Sequence, residues 1–285
     1  MKGLLARIRG KKDGKEALRH VLGDYEPPSF PTAILEILRV IRNLDATMDE
    51  VAASLVTHPG LVVKILKTVN SASFGLARQV NDVTHAANML GRSRVEALVL
   101  TIATKEVLPS EEAPGFDAQR FWTAAARRAT LARPLAKLLH PTTQMESFTA
   151  ALLQDIALPV LATARPHDYG PVMERWHADP QAELHLLEEE TFGWTHMEIA
   201  DLISEEWGLP DKLRSAIVGH HGPCLDKESE PAVRLVSHIR ESNEETGVAR
   251  IIEQASQEHG LDPKTVERII EEAWDHAAEL VQLLR

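Results

Sequence analysis

Apolar residues in this chain return every three to four positions almost from end to end, and no pair of segments alternates with a period of two. Period 3.6 puts such residues on one face of a helix, whereas a half-buried strand needs strict alternation. In TAILEILRVIRNL, for example, Ile34, Leu35, Leu38 and Ile41 form one stripe. Aromatic residues are only 5% while Leu, Ala, Ile and Glu are abundant, a balance that favours helices over a sandwich or barrel. The fold class read from this pattern is all-α. Thr47 and Glu50 have capping-box spacing at the head of a helix over 48–56, and His58-Pro59-Gly60 ends it. Further helices are expected at 61–70, 82–90, 93–100, 121–139, 146–164, 168–178, 180–191, 195–207, 210–221 and 229–242, and a last pair at 246–259 and 263–284.

The segment LPSEEAPGFD, residues 108–117, is polar and rich in helix breakers, so it is the expected joint between two helical lobes. The expected organisation is a basic N-terminal helix or tail over 1–20 and a body over 21–245. Within the body, lobes occupy 21–112 and 118–245, and a helical extension follows over 246–285. The extension has an apolar face with Val248, Ile251, Ile252 and Ala255. A second face carries Val266, Ile269, Ile270, Ala273, Trp274, Ala277, Leu280 and Leu284. Both stripes need a partner surface, either on the body or on a second copy in a homodimer.

The chain has 285 residues, enough for one or two packed units. Cys224 is the only cysteine, which excludes a disulfide scaffold and a CxxC metal knuckle and points to a reducing, cytoplasmic setting. No uninterrupted run approaches the roughly 18 apolar residues of a membrane span. The first 20 residues lack the apolar core of a signal peptide. Net charge is −11, so duplex DNA is not expected as the main partner, since phosphate neutralisation needs a continuous basic surface.

Phosphate loops of the GxxxxGK[ST] type, GxGxxG and GxSxG are all missing. Chemistry-bearing residues are instead histidines and acids. Asp155 lies inside ALLQDIALPVL, His196 heads a helix in THMEIADLISEEWGLP, and His220 and His221 occupy AIVGHHGP. Together with PPSFPTAILEILRVI and ILKTVNSASFGLARQVNDVTHAANMLGRSRVEALVL, these blocks resemble the HD-related output domain (HDOD) family. That family is an offshoot of the HD superfamily of metal-dependent phosphohydrolases. The resemblance covers roughly residues 25–240, and the family it points to is all-helical.

Catalytic HD proteins use a first His, a His-Asp pair, further His residues and a last Asp to hold divalent metal that activates water. The resemblance places the first His near 121–124, where Ala124 cannot ligate, and the His-Asp pair at Gln154-Asp155, where an amide replaces imidazole. The last Asp is expected between Ser237 and Arg240, which holds no acid. Asp155, His196, His220 and His221 survive as scattered vestigial candidates, so no metal, no other cofactor and no catalysis are expected. They are expected to pack as satisfied polar residues of the core.

Asn70, Ser71 and Ser73 form a turn that suits a helix cap or a small ligand or peptide backbone. Trp122, Trp194 and Trp207 sit at helical positions among apolar residues and read as core. The leading reading is a stand-alone, non-catalytic signalling output module or interaction adaptor with a protein partner. Two alternatives stay open. One is a residual phosphohydrolase of nucleotides or cyclic dinucleotides, and the other is a nucleotide binder that kept the HD-type cleft.

Overall fold

The structure, a computed structural model, describes residues 14–70, 79–221, 230–242 and 244–283, the side chains of 14, 15 and 283 excepted. Among them the regular elements are helical: α1 (Gly14–Leu22), α2 (Thr32–Arg42), α3 (Met48–Val56), α4 (Pro59–Val69), α5 (Val83–Leu90), α6 (Arg92–Val107), α7 (Ala118–Leu139) and α8 (Gln144–Leu153). They continue with α9 (Ala157–Ala164), α10 (Pro166–Ala178), α11 (Leu184–Phe192), α12 (His196–Glu206), α13 (Asp211–Val218), α14 (Pro231–Val236), α15 (Glu244–His259) and α16 (Pro263–Leu283). The all-α reading holds.

Local chemistry explains most boundaries. Thr47 accepts from the Glu50 amide while the Glu50 carboxylate accepts from the Thr47 amide at 2.6 Å, so the expected capping box is formed. Thr195 and Glu198 make the same box at the head of α12. Three expected helices are cut short, each by a bond the periodicity does not reveal. The Asp179 carboxylate accepts from the Gln181 amide at 2.8 Å, and this turn delays α11 to Leu184. The expected helix over 146–164 breaks at 154–156, which leaves Asp155 in a turn between α8 and α9. The helix expected to reach 242 stops at Val236, and Arg240 turns its guanidinium onto the carbonyls of Trp176, Asp179 (3.3 Å) and Pro180 (3.0 Å).

One apolar core runs from Ala17 on α1 to Val281 on α16 and takes in residues on both sides of 108–117. That segment is itself packed against α10. A Cβ on Gly170 would meet the Pro114 carbonyl oxygen at 2.9 Å, and Gly115 adopts φ +74°, which favours glycine. The extension docks on the body: Val266, Ile269, Ile270 and Ala273 of α16 join Leu131, Ala132, Leu135 and Ala136 of α7 in a second core. Within Pro141–Ala164 one 18-residue window has a mean hydropathy of 1.4, apolar enough for a membrane span by length and composition alone although charge interrupts its apolar runs. It is 83% buried inside the fold, and its apolarity is accounted for as the central core of the bundle.

Candidate metal centre

Three elements meet at Asp155. The turn after α8 supplies Asp155, the first residue of α12 is His196, and the helical turn Gly219–His221 after α13 carries His220 and His221. The structure brings the four candidates named from the sequence together. Ligand-capable atoms of all four lie within 4.8 Å of one another. His196 Nε2 is 3.2 Å from His220 Nε2, and the two stand 3.5 and 3.3 Å from Asp155 Oδ1.

The other ring nitrogens set the tautomers. His196 Nδ1 donates to Glu188 Oε2 at 2.7 Å, and Glu188 also accepts from the His196 amide at 2.8 Å and from the Tyr169 hydroxyl. His220 Nδ1 donates to the Ile217 carbonyl at 2.5 Å. Each imidazole therefore turns its Nε2 lone pair toward Asp155 Oδ1. Three acceptors so close repel one another unless a proton or a cation lies between them. Burial opposes charge on His196, but Glu188 and then Asp155 overcome it and raise its pKa. Burial lowers that of His220, and burial with two neighbouring histidines takes His221 well below the ordinary value. Glu188 and Asp155 therefore favour the protonated form of His196 over that of His220 and His221.

The donor set also fits a metal ion. A small tetrahedral ion with bonds of about 2.0–2.1 Å separates its ligand atoms by about 3.3 Å, close to the separations found here. The Nδ1 bonds to Glu188 and Ile217 are the kind of outer contacts that orient metal-ligating imidazoles. Asp155, His196 and His220 would hold the ion. A second, more open group, Glu183, His185 and His221, shares His221 with the first.

Two residues that sequence reasoning passed over decide the character of the centre. Ala124 is buried at the expected first-His position, and one turn later on α7 Arg128 bonds Asp155 Oδ2. That guanidinium holds the Asp155 carboxyl well below the usual carboxylate range, against the opposing pull of burial, which is the larger influence in the other direction. Glu241 lies one residue past the window in which a last acid was sought. Its side chain is 3% exposed, and burial pushes its carboxyl up to about 8. An Arg at i+4 from a family ligand position was the available signal for the first, and a wider window for the second. Gln154, in place of the family's His, is fully buried, and neither end of its amide has a hydrogen-bond partner among the described residues.

The remaining sequence candidates are placed elsewhere. Asn70 donates to the Leu66 and Val80 carbonyls at 2.8 and 2.7 Å and accepts from the Val80 amide, so its whole amide pins α4 to residue 80. Ser71, Ser73 and Cys224 lie outside the described residues. Trp122 and Trp194 are buried, and Trp207 stacks on Phe30 and donates to the Pro28 carbonyl at 2.8 Å.

Helical architecture and a histidine–carboxylate centre of this order define an HD-type domain. The HDOD domain model matches residues 28–223, and the chain belongs to that family. A Shewanella amazonensis SB2B crystal structure, named provisionally as a phosphohydrolase, superposes with a TM-score of 0.73 at 22% identity, covering 94% of this chain and 98% of that one. A Marinobacter aquaeolei VT8 structure, named provisionally as a signal transduction protein, gives 0.73 at 20% identity and covers 96% of this chain and 62% of its own. Both likenesses establish the fold. An uncharacterised Treponema pallidum (strain Nichols) protein is 27% identical over 212 residues, 74% of this chain and 40% of the relative's length.

Proposed function

We propose that this HDOD chain is a signal-transduction output module that works by binding a protein partner and does not hydrolyse phosphate esters. The observation that supports this reading is closure of the centre. Asp155, His196 and His220 are 5%, 0% and 1% exposed, and the cavity beside them holds about 20 Å3. That is room for roughly one water, against the several hundred Å3 of an ordinary ligand site. Arg128 also occupies the second oxygen of Asp155, which would otherwise face a second ion. The provisional signalling name of the Marinobacter relative agrees with the reading.

A second reading, metal-dependent phosphohydrolase, is favoured by the convergence of Asp155 Oδ1 with two imidazole Nε2 atoms. A divalent ion there would supply an activated water. The test is an assay of the full chain with Mn²⁺ or Fe²⁺ on p-nitrophenyl phosphate, bis-p-nitrophenyl phosphate and a cyclic dinucleotide, beside Asp155→Ala. Rates indistinguishable between the two proteins are expected. Turnover that vanishes in Asp155→Ala would replace the first reading by the second.

A further inference from the structure

A group of cations without acid partners lies away from the histidine centre, where α6, α7, α8 and α16 meet. They enclose an open cavity of about 460 Å3, within the range that holds small-molecule ligands. Arg94 of α6 and Arg133 and Lys137 of α7 line it. Arg133 and Lys137 are one helical turn apart, so they share a face. Among the described residues no acid pairs with any of the three. Glu272 also lines the cavity, but its carboxylate is taken by Arg268 at 2.7 Å. The rest of the wall is largely apolar, with Leu98, Phe148 and Ile269 contributed by three different helices.

Arg94 and Arg133 are half-buried and Lys137 is exposed at the rim, and cations without counterions are costly where they are partly desolvated. Arg133 illustrates the cost: burial first, and then the Arg94 charge, lower its pKa. A fold that only needed to close this junction would do better with uncharged side chains. A singly charged anion would neutralise one of the three cations. A dianion would neutralise two and let a guanidinium fork grip its oxygens in pairs.

We propose that this cavity binds a small phosphate monoester with an apolar or aromatic body. The phosphate lies between Arg94, Arg133 and Lys137, and the body lies against Leu98, Phe148 and Ile269. The ligand would touch the amino-terminal helices, the HD-type helices and the carboxy-terminal extension at once. Its binding therefore ties α16 more firmly to the body. The proposal is independent of whether the histidine centre holds metal.

Calorimetric titration of the full chain with phenyl phosphate, octyl phosphate and adenosine monophosphate tests it. At least one is expected to bind saturably, and Arg94→Gln and Arg133→Gln are each expected to weaken that binding about tenfold or more. Without ligand, Arg133→Gln is expected to melt at a higher temperature than the parent, because it removes the repulsion from Arg94. This second measurement also confirms that the variant folds. The proposal is overturned if none of the three binds, or if binding survives both substitutions. It is equally overturned if octanoate binds as tightly as octyl phosphate, or if Arg133→Gln lowers the melting temperature.

Discussion

Asp155 and Arg133 are both charged groups on the inner side of the bundle, and they are treated in opposite ways. Asp155 is met by Arg128, His196 and His220 and sealed from solvent. Arg133 faces an open cavity beside another cation. Around Asp155 the charges are matched, so removing one member leaves the others buried and unpaired. Around Arg133 they are unmatched, so removing one relieves the rest. Burial alone therefore does not distinguish a structural polar centre from a binding site. Whether the neighbouring charges are satisfied does.

This contrast can be broken experimentally. The largest expected effect is from deleting 246–285, which strips one wall from the cavity and exposes the α7 stripe of Leu131, Leu135 and Ala136. Loss of soluble protein on expression is expected. A truncated chain that stays soluble, monomeric and as stable as the parent would show the extension to be dispensable.

Arg128→Ala comes next. It abandons a buried carboxylate, and a loss of about 3–5 kcal/mol is expected in urea unfolding at neutral pH. A loss below about 1 kcal/mol would mean that the two imidazoles, or a bound ion, already satisfy Asp155.

Glu241 sharpens the picture through pH. Its folded pKa, about 8, lies above the unfolded value of 4.5. The folded state therefore binds the extra proton, and the stability this group contributes is full below about 4.5 and lost as pH rises through about 8. Glu241→Gln, which mimics the protonated form, should match the parent near pH 4.5 and exceed it by up to a few kcal/mol above pH 8. Parallel stability curves for the two proteins across that window would rule out a neutral, buried Glu241.

The smallest effect expected is that of Thr195→Ala. It removes the cap that starts α12 just before His196, at a cost of about 1 kcal/mol in thermal or chemical unfolding. A loss several times larger would show that the cap also positions His196 for Glu188 and Asp155, so that the centre cannot tolerate a shift of its helix end.

Periodicity and local caps determined the helical class, the positions of most helices and the Thr47–Glu50 box, because each rests on residues within a few positions of one another, while the order of the motif blocks carried the resemblance to the family. The chemical identities of Asp155, His196, His220 and His221 were also visible. Their meeting was not, since it depends on how α8, α12 and α13 cross. Nor was the part played by Arg128, 27 positions before its partner, or by Glu188, eight before His196. The break at 154–156 and the early end of α14 had the same origin. Tertiary bonds from Arg128 and Arg240 draw on groups that a helical repeat treats as ordinary members of a stripe. The junction cavity is the plainest case. Arg94, Arg133 and Lys137 look like the solvated faces of two separate helices, and only the packing of α6, α7, α8 and α16 puts three cations around one space in which the one lining acid, Glu272, pairs with Arg268 instead. Charge pairing is a property of distances in space, and sequence spacing reports those distances only within a helix turn or two.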